Sequence, residues 1–424
     1  MRRPARIRAS RLALVPAAAV VTAALSACGT GSSSTAGPSA AASSSPAATA
    51  SATAASTATA SAASASPAPA ATSPLATAGA PGPAGGPALA GFAATSVTFV
   101  STDQAFVLGT AECPHARCTA IAATPDRGAT WERLPAPAVP LGDPLANSDQ
   151  AAVWGIRFAG REQGFVFGNG LWTTTDGGER WTAIASPGGS IDDLEVIDGQ
   201  VLALSYACSA KSGCAQTGAL YRRALAGGPW SLVTQVSGAP VIATQARVAA
   251  VVDDGGRVLV TGDGGLTFAV RATPCAGSGS AGSAVAVTGP DSLGLLCAGG
   301  AAAGSVQKTV YVSDDLGATW AKAGSPPFAG DPWGISAGTP ARLTVAAVSG
   351  ATWLYYSADG GVQWTIAYRA PIDGGVEFND LGFTTTADGV AVLGPVYSDA
   401  NPYGMPGELL LTSDGGASWT AVRI

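Results

Sequence analysis

The sequence contains one histidine, His115, and only three lysines among its 424 residues. Charged residues make up 12% of the chain, which is about half the usual share for a globular protein. A single histidine excludes a multi-histidine metal cage or active site, and we expect neither a metal nor another cofactor. Phosphate backbones are bound by clustered cations, so the shortage of lysine argues against a nucleic-acid partner.

Glycine, proline and tryptophan are abundant instead, with 56, 29 and 10 residues respectively. Turn-forming residues at this density, combined with few charges, favour many short strands over amphipathic helices. The composition therefore predicts an all-β fold. A chain of this length can hold two or three ordinary domains or one large repeat domain.

The first 27 residues have the pattern of an export signal. Five arginines lie within the first eleven residues, and the apolar run that follows, Leu12 to Leu25, is too short for a permanent membrane span. The next residues, Leu25-Ser26-Ala27-Cys28, resemble the bacterial lipobox, in which cleavage before the cysteine leaves its sulfur to carry diacylglycerol. We expect a signal peptide over 1–27 and a lipid on Cys28. The alternative is an ordinary signal peptide followed by a chance cysteine.

The segment behind Cys28 has the composition of a tether. Residues 29–88 are almost entirely Ala, Ser, Thr, Pro and Gly, without one charged side chain. Such a segment cannot bury enough apolar surface to offset the entropy of ordering, so 28–89 is predicted to be a lipid anchor and a disordered stalk. As a coil of about 60 residues, its ends would lie on the order of 45 Å apart.

The expected location follows from the anchor and the charge. Without the arginines that precede Cys28, 17 Lys and Arg remain against 28 Asp and Glu, so the mature chain is strongly acidic and is not attracted to anionic lipid. We therefore expect membrane contact through the lipid alone, on the outer face of the cytoplasmic membrane, by a monomer. The alanine-rich signal and stalk indicate an actinobacterial source.

Six eight-residue segments share one pattern: a hydroxyl residue, any residue, Asp, any residue, Gly, two further residues and an aromatic. They are Thr124–Trp131 with Asp126, Thr174–Trp181 with Asp176, Thr261–Phe268 with Asp263, Ser313–Trp320 with Asp315, Ser357–Trp364 with Asp359, and Thr412–Trp419 with Asp414. Asp can accept hydrogen bonds from the amides of its own turn, and Gly supplies a positive φ. The pattern predicts a hairpin corner whose aromatic residue opens the next strand.

A seventh, degenerate copy fits the gap between the second and third segments. Tyr221 to Trp230 keeps the Gly-Gly pair and the tryptophan but lacks the aspartate. With this copy, the aromatic residues mark seven units of about 47 residues each.

The six segments resemble the Asp-box, or BNR, repeats of sialidase-like β-propellers, where the box joins the third and fourth strands of a four-stranded blade. The resemblance implies a seven-bladed β-propeller of antiparallel blades over 90–424. Paired apolar runs such as Ile156-Arg157-Phe158 and Phe165-Val166-Phe167 match the first two strands of a blade. The chain also resembles photosystem assembly-factor-like propellers, some of which are lipoproteins.

Six cysteines follow Cys28, an even number that fits an oxidising compartment. Six cysteines allow 15 pairings, and sequence proximity favours Cys113 with Cys118, Cys208 with Cys214, and Cys275 with Cys297. A zinc site is the alternative reading of these cysteines.

The propeller resemblance assigns binding to the face opposite the repeated corners. There, the connections between second and third strands are expected to be long in the first, third, fifth and seventh blades, a feature typical of binding loops. Candidate residues for this binding face are Trp154, Trp333, Arg369, Phe378, Tyr397 and Tyr403. The alternatives are an unused surface and aromatic side chains that belong to the core.

Two classes of function remain. The first is a non-catalytic propeller that binds an extracellular protein or glycan, with no catalytic residue assigned. The second is a sialidase-like or other glycoside hydrolase, which the sialidase resemblance would require to carry three clamping arginines, a tyrosine nucleophile with its glutamate, and an aspartate acid. Arg117, Arg157 and Arg369 are the arginines that we expect can approach the binding face.

Overall fold

A computed structural model describes residues 89–114, 117–142, 151–209, 213–215, 217–275, 283–302, 304–371, 376–395 and 407–424. Seven four-stranded antiparallel sheets follow one another along this part of the chain. The predicted seven-bladed β-propeller is confirmed. The first strands of successive blades contact one another around the ring, which places them at its centre.

Each of blades one to four begins at its innermost strand and ends at its outermost strand. Their strands are β1 (Ala93–Phe99), β2 (Ala105–Glu112), β3 (Arg117–Thr124) and β4 (Glu132–Leu134); β5 (Val153–Phe158), β6 (Gly164–Gly168), β7 (Leu171–Thr174) and β8 (Thr182–Ile184); β9 (Ser190–Ile197), β10 (Gln200–Tyr206), β13 (Thr217–Ala224) and β14 (Ser231–Ser237); and β15 (Val241–Gln245), β16 (Val248–Val252), β17 (Arg257–Thr261) and β18 (Ala269–Ala272). Blade three also carries a small hairpin of β11 (Cys208–Ser209) and β12 (Gly213–Cys214).

Blades five to seven repeat the same order. Their strands are β19 (Ser283–Val287), β20 (Leu293–Ala302), β21 (Ser305–Ser313) and β22 (Ala321–Gly324); β23 (Asp331–Thr339), β24 (Arg342–Val348), β25 (Ala351–Ser357) and β26 (Thr365–Pro371); and β27 (Val376–Phe383), β28 (Gly389–Pro395), β29 (Glu408–Thr412) and β30 (Thr420–Val422). No described blade borrows a strand from another part of the chain, so blades one and seven meet through packing and through contacts such as that of Arg127 with Asp388 and Thr412 O, without a shared strand.

Burial falls from the centre of the ring to its edge. All seven residues of β1 and all six of β5 are buried, whereas β4 and β8 are largely exposed. Inner strands are covered on both faces by neighbouring blades, so they are apolar almost throughout instead of alternating. The core is continuous across the seam, because Val97 and Val107 of blade one share a cluster with Val390, Val392 and Leu409 of blade seven.

The six repeated segments, which we call the repeat turns, share one hydrogen-bond pattern between the third and fourth strands. In blade one, the Thr124 hydroxyl donates to Asp126 Oδ1 (2.9 Å), and the Gly128 amide donates to the Thr124 hydroxyl (2.8 Å). The Thr130 amide donates to Asp126 Oδ1 (2.8 Å). Equivalent bonds to aspartate are made in the other five turns.

The residue after each aspartate explains the need for glycine in these turns. It has a positive φ in all six and is glycine in four, the exceptions being Arg127 (φ 61°) and Leu316 (φ 53°). Its amide donates to the turn between the first two strands of the same blade, as from Arg127 to Asp103 O (2.6 Å) and from Leu316 to Asp291 O (2.9 Å). Each repeat turn is thereby fastened to the inner half of its blade.

Tryptophans that follow the turns connect neighbouring blades. The indole N–H of Trp181 donates to Pro135 O of blade one, and that of Trp320 donates to Ala272 O of blade four. Trp230 of the degenerate copy makes the same kind of bond, to Ala185 O. By contrast, Trp364 and Trp419 bond to glycine carbonyls of their own turns.

Disulfides join Cys113 to Cys118 and Cys275 to Cys297, as predicted. Cys208 is also disulfide-bonded, and its backbone pairs with that of Cys214 in the β11–β12 hairpin.

The prediction of long connections between the second and third strands is wrong for blades one and five. The strands themselves extend instead, so that β2 pairs with β3 as far as Glu112↔Arg117, and β20 pairs with β21 as far as Ala302↔Ser305. The described residues contain no helix that is long and apolar enough to cross a bilayer.

Candidate functional site

The two sides of the ring carry different connections between strands. Antiparallel order places the repeat turns and the turns between first and second strands on one side, which we call the repeat-turn rim. The opposite side, which we call the cleft face, carries the connections between second and third strands and those between blades. The chain also enters the propeller on the cleft face, because the Glu112 amide at the end of β2 donates to Ala90 O.

The cleft face contains an open cleft of about 560 Å³ in blade one, bordered by the connection that leads to blade two. Its inner wall is the start of β3, and its outer wall is the proline-rich connection that leaves β4. The cleft is lined by Thr110, Arg117, Cys118, Thr119, Arg133, Leu134, Pro135, Ala136, Pro137, Ala138, Val139, Pro140 and Leu141.

The cleft exists because β4 is shorter than β3. Pairing between them stops at Ile121↔Leu134, and the chain then diverges from the first half of β3. Prolines in the diverging segment have no N–H with which to continue the pairing. The Thr119 hydroxyl donates to Val139 O (2.6 Å) and fixes the far wall.

Two arginines give the cleft positive charge in an acidic protein. Arg117 donates from Nε to the Thr110 hydroxyl (3.1 Å) and from Nη2 to Gly91 O (2.5 Å), so its guanidinium joins the start of the propeller to the wall of the cleft. Arg133 is exposed, and its Nη2 lies 3.8 Å from Cys113 Sγ. Sequence reasoning missed Arg133 and the segment 135–141; the three prolines were the available signal for an unpaired edge.

Three candidate residues for the binding face are core residues instead. Trp154, Trp333 and Phe378 are exposed by only 2, 6 and 0%. They lie on β5, β23 and β27, which are inner strands covered by adjacent blades. Their assignment to an exposed face is therefore wrong.

The other candidates do not form a cluster on the described surface. Arg369 is exposed on β26, the outer strand of blade six. Tyr397 and Tyr403 lie outside the described residues, as does Cys28.

Arg157 lies at the centre of the ring in a buried ion cluster. Its Nε donates to Glu195 of blade three (2.9 Å), and its Nη2 donates to Asp380 of blade seven (3.3 Å). Asp380 also accepts the Val97 amide of blade one (2.8 Å), and Glu195 accepts the Thr244 hydroxyl of blade four (3.3 Å). This cluster connects five blades through inner-strand groups.

The three arginines considered for a sialidase clamp do not share one site. Arg157 is 2% exposed and paired with two carboxylates, Arg117 is bonded to Thr110 and Gly91, and Arg369 lies on an outer strand. A substrate carboxylate would need their donors to converge. Across the described ranges, no group of three or more His, Cys, Asp or Glu residues could hold a metal.

A buried lysine fixes a second part of the cleft face, between blades five and six. The three N–H groups of Lys308 Nζ are shared among four backbone carbonyls, those of Val306, Phe328, Ala329 and Gly330, at 2.6–3.1 Å. Burial lowers the pKa of Lys308 to about 8, against an opposing effect of Asp331. The connection held in this way presents Phe328, which is 48% exposed.

Comparison with known proteins found similar shapes only. No protein-family model and no curated protein matches the chain. Among solved structures, YCF48 bound to D1 peptide aligns with a TM-score of 0.49 at 18% identity, covering 77% of this chain and 94% of that one. YCF48 from Cyanidioschyzon merolae gives 0.48 at 16%, covering 77% and 96%. The GH74 xyloglucanase from Xanthomonas campestris gives 0.29 at 15%, covering 78% and 72%.

Proposed function

We propose that this protein is a non-catalytic propeller, held outside the cell by a lipid on Cys28, that binds a protein or glycan partner through its cleft face. The observation that carries the proposal is the open cleft in blade one. It combines about 560 Å³ of accessible space with two arginines and a wall of prolines. Concave sites with a few convergent polar groups are the usual form of a binding site.

The walls of the cleft are held in place before any partner arrives. Arg117 fixes the inner wall to Gly91, and Thr119 fixes the outer wall to Val139. A rigid site loses less conformational entropy on binding than a mobile one. The glycoside-hydrolase alternative has no comparable support, since the arginine best placed near the ring axis, Arg157, is bound to Glu195 and Asp380.

The proposal is tested by obstructing the cleft. Ala138 is an exposed lining residue, so Ala138→Arg should fill the cleft and leave the fold intact. The matched control is Ala318→Arg, the same substitution at an exposed position in the repeat turn of blade five.

Partners are captured by crosslinking each variant on its native membrane. We expect the proteins or glycans captured by the wild-type protein to be captured equally by Ala318→Arg. Their yield with Ala138→Arg should fall at least about tenfold, because the cleft supplies a central contact. Equal recovery with both variants would show that binding does not use the cleft. Release of sialic acid from a fluorogenic substrate, abolished by Arg369→Ala, would favour the hydrolase instead.

A further inference from the structure

The disulfides Cys113–Cys118 and Cys275–Cys297 differ in their exposure to solvent. Cys275 and Cys297 are buried, with 7 and 4% exposure. Cys113 and Cys118 are partly exposed at the end of the β2–β3 hairpin, and Cys118 lines the cleft. A thiol from solution can therefore approach the second disulfide without any opening of the blades.

The accessible disulfide also has a guanidinium beside it. Arg133 Nη2 points to Cys113 Sγ at 3.8 Å, and Arg117 precedes Cys118 on the wall of the same cleft. A neighbouring guanidinium stabilises a thiolate and lowers the pKa of the thiol. A sulfur with a lower thiol pKa is the better leaving group in thiol–disulfide exchange.

These two observations indicate which sulfur of the disulfide is attacked and which one leaves. Cys118 lines the cleft, where an attacking thiolate can enter. Cys113 Sγ has the arginine that stabilises it as it departs. The positive charge of Arg133 also favours the approach of the anionic nucleophile, whereas Glu112, which pairs with Arg117 between β2 and β3, offsets the charge of Arg117.

We propose that Cys113–Cys118 is a thiol–disulfide exchange site that accepts electrons from a dithiol. One thiolate of the dithiol attacks Cys118 Sγ, the S–S bond breaks, and Cys113 leaves as a thiolate beside Arg133. The second thiol of the dithiol, once deprotonated, attacks the mixed disulfide and releases Cys118. The dithiol is oxidised to a disulfide, and its two protons end on Cys113 and Cys118.

The first test compares the two disulfides within the native protein. Dithiothreitol is added without denaturant, samples are alkylated over time, and the labelled cysteines are identified by mass spectrometry. We expect Cys113–Cys118 to be reduced at least about tenfold faster than Cys275–Cys297, which is the internal control for unfolding. Equal rates, or faster reduction of Cys275–Cys297, would overturn the proposal.

The second test addresses the direction of attack and the role of Arg133. With glutathione, a monothiol, the mixed disulfide should form mainly on Cys118. Arg133→Met should slow the reduction of Cys113–Cys118 by roughly threefold to tenfold, because the leaving thiol loses its neighbouring cation. Arg180→Met is the control, since Arg180 is 90% exposed on the repeat-turn rim and should leave the rate unchanged.

Both substituted side chains are on the surface, so an unchanged rate for Cys275–Cys297 will show that each variant is folded. Adducts found mainly on Cys113 would refute the assigned direction. A wild-type rate in Arg133→Met would refute the part played by the guanidinium.

Discussion

A repeat-turn aspartate combines exposure to solvent with a carboxylate that accepts several hydrogen bonds. The Thr319 hydroxyl, followed by the Thr319 amide and the Ser313 hydroxyl, lowers the pKa of Asp315 to about 2. The pKa values of the other repeat-turn aspartates, Asp126, Asp176, Asp263, Asp359 and Asp414, are also lowered. The folded protein therefore binds fewer protons than the unfolded chain below about pH 4.

This difference predicts loss of stability in acid. Because the folded pKa values are depressed, the stabilisation is present above the unfolded values near 3.8 and is lost as the pH falls from about 4 to 2. The melting temperature, followed by circular dichroism between pH 5 and 2, should decline over that window. Asp315→Asn should reduce the slope, because amides do not titrate in this range. A flat profile in the wild type would contradict the prediction.

At the scale of one element, blade three shows what a blade keeps when its turn loses the aspartate. The Leu225 amide still donates to Gly199 O (2.8 Å), so the turn remains attached to the inner half of the blade. Its outer strand β14 pairs with β13 from Thr217↔Ser237 to Arg222↔Ser231, farther than most outer strands in the ring. Strand pairing thus compensates for the missing side-chain bonds.

Hydrogen exchange should separate the turn of blade three from its strands. We expect the amide of Gly228 to exchange faster than those of Gly317 and Thr319, which donate to Ser313 and Asp315. Residues of β14 that pair with β13 should be protected. Equal amide exchange rates in the turns of blades three and five would contradict a protective role of the aspartate.

Most of the local structure could be predicted from the sequence, because each repeat turn needs its hydroxyl, aspartate and glycine within eight residues. The central cluster could not, since Arg157 meets Glu195 and Asp380 across 38 and 223 residues. Trp154 and Phe378 were misassigned for a related reason. Inner strands are buried on both faces, so they lack the alternation that identifies a core-facing side chain.

At the scale of the whole molecule, the Arg157 cluster is the buried connection across the seam, beside the partly exposed contacts of Arg127 with Asp388 and Thr412 O. Arg157→Met would leave Glu195 and Asp380 as buried carboxylates without their cation, and should cost about 3 to 5 kcal/mol in the free energy of unfolding. The control is Arg247→Met, because the pair of Arg247 with Asp198 is exposed and is worth at most about 1 kcal/mol. Denaturant titration measures the free energy of unfolding of both variants. Equal losses in the two variants would contradict a role of the cluster in closing the ring.

Within the residues that the structure describes, no strand is exchanged between blades, so the seam is built like the other junctions between blades. Leu89 and Ile424, the ends of the described chain, pack into the same cluster, and both blades that meet there are complete sheets. The ring can therefore be read as a cyclic order of seven blades whose starting point is arbitrary. A circular permutant that joins these ends and opens before Ser190 would keep every blade whole. Its folding should depend on the packing of adjacent blades, with no blade required to form first.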